Sequence, residues 1–467
     1  MNQRMLRIIG AAIGMAVVCL PISYGQELSD APKPAMAGDN VTSLQSGAPA
    51  DVPDTRPLAG IQNLSLGSQS ASHSFLLPSF GVTNAILFTP DNNAAGTSSP
   101  ATTTYLSGRL GLNKISGRSE LLVDYLAAGG FSSYSGDSNS VIQSLDFAET
   151  IHGGRWSQTF GEQFTYLPGS SFNFGGVGGL GGFGINLGTV GTTPGFRQDL
   201  LPNQSIITNG SDRISNAVMA QTGYALGYRS SLSFFGGYGT LHFLSGGLQN
   251  SSNISAGAGY NYLLSPLNSL SVSYGFSRFT FSRLPTGAES HSVMLSFARR
   301  ITGRLSFQAG AGPDIQVYSS PVAGSGTVVS WALSSGLNYR LQRWQTGFSY
   351  SHALSGGSGV LTGAETDLFS GHAGRSFGNW HGAISAGYAR NHAIQQLSGS
   401  NTTSQGWFGG AQASRSLARF GSIAIGYNVS RQSGLGAVCG LAACATSGLM
   451  QTVSISYNWG FRPIVLE

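Results

Sequence analysis

The chain has 467 residues, of which 41% are hydrophobic, 68 are glycine and only 9% are charged, with a formal net charge of +5. That charged fraction is far below the roughly 25% of ordinary soluble domains, and the scattered basic excess forms no stripe that would grip nucleic acid. Beyond the N-terminus no apolar run approaches the about 20 residues of a membrane-crossing helix.

The first 25 residues read as a signal peptide. Arg4 and Arg7 precede an apolar run from Ile8 to Leu20, Pro21 breaks it, and Ser23-Tyr24-Gly25 supplies small residues before a cut at Gln26. Cys19 raises the alternative of a lipid anchor, but Val18 and Leu20 are poor neighbours for one. Loss of Arg4 and Arg7 leaves 22 basic against 19 acidic residues. Residues 26–71, rich in Pro, Ala, Ser and Gly, show no sustained period and read as a flexible periplasmic arm.

From residue 72 to the end the chain reads as successive strands. HSFLLPSFGVTNAILF is a weak first one, interrupted by Pro78. TYLSGRLGL and SELLVDYLAAGGF follow, joined through NKISGR. In the second, Leu121, Val123 and Tyr125 share one face while Glu120 and Asp124 share the other. VIQSLDFAETI, which carries Asp146, and RWSQTFGEQFTYL are joined by HGGR. Glu162 breaks the pattern by falling on the face of Phe160, Phe164 and Tyr166. A bulge that shifts the register, a seat at the membrane interface, or a partner would each account for it.

A long Gly-rich segment, about 168–212, comes next. It contains a G-x-G-x-x-G match at Gly176, Gly178 and Gly181, with Asp199 further on. No buried strand precedes it and no helical pattern follows, so a dinucleotide site is rejected. The segment reads as an extracellular loop, lying over the rim or folded into the lumen. In the second case Arg197 and Asp199 would line a constriction.

After Asp212 the pattern is regular. Short turns at 227–230, 265–269, 299–304, 340–343, 375–379 and 415–419 recur every 34 to 41 residues, a two-strand unit. Between them lie longer Gly/Ser/Asn stretches such as SGGLQNSSN, SGGSGVLTGAET and QQLSGSNTT. Alternating short and long connections are the asymmetry of outer-membrane barrels. Trp156, Trp344, Trp380 and Trp459 sit within a few residues of the short turns or the C-terminus, where an aromatic girdle belongs. Arg229, Arg299, Arg300, Arg304, Arg340, Arg343, Arg375, Arg415 and Arg419 crowd the same turns and read as head-group contacts. Cys439 and Cys444 share the loop before the last strand, where an oxidising compartment favours a disulfide over two free thiols. No neighbouring His completes a metal site there.

The final strand, LMQTVSISYNWGF, alternates without a break. Val453, Ile455, Tyr457, Trp459 and Phe461 face one way, and Thr452, Ser454, Ser456, Asn458 and Gly460 the other. It resembles the C-terminal signal of bacterial outer-membrane β-barrels, departing in the six residues after Phe461. The chain over 72–461 resembles porin-type barrels. The expected fold is therefore all-β: a transmembrane antiparallel barrel of about 18 strands, or 16 if the weak first strand and one neighbour are miscounted. Short turns would be periplasmic and long loops extracellular.

What the resemblance implies is an outer-membrane pore for passive diffusion of small solutes, exported by the general secretory route, without cofactor or metal. Its partners would be outer-membrane lipid and the barrel-assembly machinery, the latter through the last strand. A homo-oligomer is compatible with it, though no sequence feature assigns one. Glu120, Asp124, Asp146, Arg197 and Asp199 are the charges that would tune the lumen, whose other positions are mostly Ser, Gly, Asn, Gln and Ala. A non-conducting structural or adhesion barrel, and a transporter for hydrophobic compounds, are the alternatives. An enzyme is not expected: there is no H-E-x-x-H, and the nearest approach to G-x-S-x-G, at Gly356-Gly357-Ser358-Gly359-Val360, fails at its last position.

Overall fold

A computed structural model describes residues 74–88, 101–132, 140–167, 212–244, 248–282, 287–320, 324–341, 343–357, 360–394, 403–417, 420–433 and 449–466. The signal peptide, the arm, nearly all of the Gly-rich segment with Arg197 and Asp199, the Cys439–Cys444 pair and Arg419 lie outside the described residues.

The strands are β1 (Ser74–Phe88), β2 (Ala101–Ser116), β3 (Ser119–Ser132), β4 (Ser140–Gly153), β5 (Trp156–Leu167), β6 (Arg213–Ala225), β7 (Ser230–Phe243), β8 (Ser251–Ser265) and β9 (Asn268–Phe281). They continue as β10 (Gly287–Arg300), β11 (Leu305–Ser320), β12 (Gly324–Leu341), β13 (Trp344–Ser355), β14 (Ala364–Phe377), β15 (Trp380–Ala393), β16 (Thr403–Ser416), β17 (Gly421–Ser433), β18 (Leu449–Gly460) and a short β19 (Ile464–Leu466). Each of β1 to β17 pairs antiparallel with the next in sequence, and β1 pairs with β18 from Ser79–Gly460 to Phe88–Gln451. The sheet thus closes into an 18-strand barrel. The strand interrupted by Pro78 is a true member, because Pro78 sits low on β1, where β19 and β18 meet it. β19 adds three pairs, Ser74–Leu466 to Leu76–Ile464. All six turns foreseen after Asp212 fall between paired strands.

The faces follow the sequence alternation. On β18, Ile455, Tyr457 and Trp459 are exposed, while Thr452, Ser454 and Ser456 are buried on the inner side. On β3, Tyr125 and Phe131 point out, and Glu120, Asp124 and Leu126 lie on the inner face. Several inner rings cover a glycine of the next strand: Tyr105 over Gly130, Phe235 over Gly257, Phe408 over Gly387. A side chain at those glycines would collide with the ring, so each ring–glycine pair fixes which strand faces it.

Glu162 lies on the outer face of β5. The ladders of β5 with β4 and with β6 run unbroken through it, so no bulge turns it inward. It is also mid-strand, six residues above Trp156, so it does not sit at the periplasmic interface. It accepts a hydrogen bond from Asn216 Nδ2 at 3.2 Å, across β5 and β6. Of the three explanations the sequence left open, the bulge is therefore wrong.

Outward and inward positions respond differently to charge. Val272→Arg, on the outer face of β9, is expected to lose about 2–4 kcal/mol, the midplane cost of a lipid-facing cation. Ser273→Arg, its inward neighbour, is expected to lose much less. Urea midpoints for refolding into lipid vesicles check the pair.

Candidate functional site

The barrel's outer wall has two polar borders. On the short-turn side, Trp156, Trp344, Trp380, Trp459 and Phe461 are all exposed on the outer face. Trp156 packs on Tyr224 with ring centroids 4.4 Å apart. Arg375 lies 4.7 Å from the Trp344 ring and 4.1 Å from Phe377, and Arg415 lies 5.4 Å from Trp380. These cations sit over the girdle rings, as head-group contacts would require. Arg300 and Arg340 depart from that expectation: both occupy inward positions, and Arg300 is buried there.

About ten residues higher on several strands, outward charges return. Arg278 Nε pairs with Glu289 Oε1 at 3.3 Å on β9 and β10. Asp367 accepts from the Tyr350 hydroxyl at 2.9 Å and pairs with His352 Nδ1 at 2.7 Å, beside Arg390 in the ladder. Ten residues at 3.3 Å each, tilted about 40°, rise about 25 Å. The band between these borders is apolar apart from a few polar outliers, among them Glu149, which bonds down to Ser119 at 3.0 Å, and the Glu162–Asn216 and Asn84–Thr104 pairs. An apolar belt of that height between an aromatic girdle and a charged rim is built for a bilayer. The chain is an outer-membrane-type β-barrel.

The lumen is the candidate site. Its periplasmic half is lined by small uncharged groups, such as Ser269, Ser271, Ser296, Thr150 and Thr159. Among the described residues, charges of both signs face it. Arg109, Arg213, Arg300 and Arg340 occupy inward positions, as do Glu120, Asp124, Asp146 and Asp314. The sequence reading therefore placed Glu120, Asp124 and Asp146 on the correct face. It missed that Arg109 grips Asp124: Nε lies 2.7 Å and 3.0 Å from the two carboxylate oxygens, and Nη2 bonds the second as well. Such a two-pronged pair is the strong form of an ion pair. Asp146 stands directly opposite Asp124 in the β3–β4 ladder.

The extracellular half of the interior is more apolar than the sequence suggested. Ala85, Tyr105, Leu126, Ala128, Ile142 and Leu167 form one buried cluster along β1 to β5. Leu368, Ala389 and Phe408 form another on β14 to β16. A third region involves the connection between β13 and β14, which the sequence reading placed outside as an extracellular loop. It lies inside.

Leu354 carries the outward parity of Trp344, Phe348 and Tyr350, yet it is buried against Phe279, Phe281 and Ala288, inward residues of β9 and β10. Ile394, just past β15, packs there too. A Cβ at Gly356 would lie 3.4 Å from the Phe279 ring and 3.6 Å from Ser251 Oγ. Val360 packs on Leu241, Phe243 and Leu248 of the β7 region. Gln316 on the inner face of β11 gives its amide to Asp314 Oδ2 at 2.9 Å and to Glu365 Oε1 at 3.3 Å, and Ser290 also donates to Asp314. The upper ends of β13 and β14 thus turn into the barrel and seat against the opposite part of the wall. Gly357 and Gly363 hold left-handed φ of 71° and 82° where the chain reverses. This hairpin thus occupies part of the lumen.

No protein-family description matches the chain, and no curated protein does. Among solved structures it is similar to Pseudomonas aeruginosa OpdQ, at 11% identity over 84% of this chain and 98% of that one, with a TM-score of 0.41. It is similar to P. aeruginosa OccK2 (OpdF) in complex with glucuronate, at 10% identity, 83% and 98% coverage and a TM-score of 0.42. Acinetobacter baumannii OccAB4 is similar at 7% identity, 83% and 98% coverage and a TM-score of 0.41. At scores of this size the likeness carries no argument for function; that rests on the chain's own geometry.

Leu354 tests the inward seat. Leu354→Ala is expected to lose about 2 kcal/mol or more of packing, and each 1.4 kcal/mol raises the released population about tenfold. Proteinase K digestion in detergent should therefore cut within 356–363 at least tenfold faster in the variant, with the barrel itself intact on gels.

Proposed function

We propose that this chain is an outer-membrane pore through which small solutes diffuse passively, narrowed on the extracellular side by the β13–β14 hairpin. The observation that carries this reading is an 18-strand closed barrel whose periplasmic inner half is lined by short uncharged polar side chains. Barrels of that strand number are wide enough to hold an aqueous channel. Inward charges of both signs support weak ion selectivity. The chemistry is diffusion past groups that exchange hydrogen bonds with water, not a reaction.

One observation favours a second reading. The apolar clusters of the extracellular half suit solutes with an apolar face, which keeps transport of hydrophobic compounds as the runner-up. The same clusters weigh against a simple hydrophilic sieve from end to end.

Planar-bilayer recording of the refolded chain starting at Gln26 tests the proposal. Steady conductance with a reversal potential near zero in a KCl gradient is expected. Silence, with folding verified by heat-modifiable migration, would remove the pore reading. Asp124→Asn leaves Arg109 without its main counter-charge, so the reversal potential should move toward that of chloride. An unchanged potential would mean that ions do not pass near β2–β4.

A further inference from the structure

Asp314, on the inner face of β11, is 1% exposed. Ser290 Oγ donates to its Oδ1, and Gln316 Nε2 donates to its Oδ2 at 2.9 Å. The same nitrogen donates to Glu365 Oε1 at 3.3 Å. One amide thus bridges two carboxylates, whose bonded oxygens can be no further apart than those two legs laid end to end. Among the described residues, no Lys, Arg or His forms an ion pair with either carboxylate. His392, opposite Glu365 in the β14–β15 ladder, bonds Thr403 through Nδ1 at 3.1 Å instead. Negative charge buried in this way calls for a positive partner.

A second observation points the same way. Gln316 is itself buried, and its Oε1 meets no hydrogen-bond donor among the described residues. Turning the amide over would not help, because the oxygen would then face two anions. A primary amide has one N–H on the same side as its oxygen, and here both N–H groups go to carboxylates. Oε1 therefore stands beside one of the carboxylates that the amide holds. Oxygens from three side chains converge there with no positive charge among them.

The strand end that carries Glu365 is fixed on both sides. Ala364 is fully buried, and its carbonyl accepts from Ser355 Oγ at 3.2 Å. Thr366 bonds Ser355 at 2.6 Å and donates to Asn391 Oδ1 at 2.8 Å. Glu365 is thus presented to the β11 wall from a set position, as a preformed binding site requires.

We propose that Asp314, Glu365 and Gln316 Oε1 form a site for a divalent cation of the calcium class, which ties the inward end of β14 to β11. The carboxylates supply the charge, and Ser290 holds Asp314 in orientation. A donor set of oxygens alone, without imidazole or thiolate, suits a hard cation rather than zinc or copper. Glu365 is only half-buried, so water can complete the shell from its side. The near-complete burial of Asp314 suits a resident ion that braces the hairpin, not a solute in transit. The site does not rest on the pore reading.

Calorimetric titration with calcium chloride tests it, on the refolded chain starting at Gln26, stripped with EDTA and kept in dodecyl maltoside. One site is expected, weakened at least tenfold by Asp314→Asn and by Glu365→Gln. The second substitution, at the less buried position, keeps the test open if the first prevents folding on gels. A local readout accompanies it. Calcium should slow carbodiimide coupling of Glu365 at least threefold, followed by mass spectrometry of peptides, while Glu289 on the outer rim keeps its rate. No calcium binding, or binding unchanged in Glu365→Gln, would overturn the site. Glu365 labelled equally fast with and without calcium would overturn the ion's place between these groups. Conductance of either kind bears on the pore alone and leaves these outcomes as they are.

Discussion

Everything in this structure depends on the rule that a backbone crossing hydrocarbon must satisfy its own hydrogen bonds. Lipid offers neither donor nor acceptor, and each unmatched group costs several kcal/mol. A sheet meets that demand only by returning to its first strand, and here the β1–β18 ladder does so. Once the sheet is closed, the alternation of side chains separates two environments without any helix or core. One face meets acyl chains and the other meets the lumen. The low charge, the abundant glycine and the near-zero mean hydropathy of +0.04 all follow from that division.

The same rule makes the departures from it informative. Among the described residues, 324–332 of β12 are paired with β11 alone, and β13 is paired with β12 only up to His352. The end of β13 and the connection after it are held instead by the buried apolar contacts of Leu354 and Val360. Apolar burial is non-directional and grows with contact area, whereas a ladder is directional and specified by register. The two can be of similar strength and still respond differently to temperature, denaturant and ligand.

Much of the fold was legible in the residues. Strands such as Leu449–Gly460 alternate so cleanly that their faces could be assigned one by one, and the short Arg-rich turns marked the periplasmic ends. Glu162 was legible as an anomaly, but its resolution was not, because Asn216 on the neighbouring strand β6, separated from it in sequence by the long Gly-rich segment, supplies its hydrogen bond. The Arg109–Asp124 pair was likewise invisible, since it depends on the β2–β3 register. The inward hairpin was misread for a physical reason. Ser355–Thr366 has the composition of any exposed Gly/Ser loop, and only Leu354, Val360 and Leu361 distinguish it. Their partners on β7, β9 and β10 are a third of the barrel away. A signal did exist: β12 is 18 residues long and β13 only 12, an inequality that a simple cylinder does not produce.

The short β19 gives the closure an asymmetry. Its three pairs with Ser74–Leu76 lie beyond Phe461, on the periplasmic side of the aromatic girdle. The seam between first and last strands is therefore longer than the belt it must cross, and its lower end is anchored in water. Mechanical or thermal opening from that side meets a clasp before it reaches the bilayer. The terminal aromatic of the last strand, usually a loose end, here becomes an interior link of a chain that continues past it.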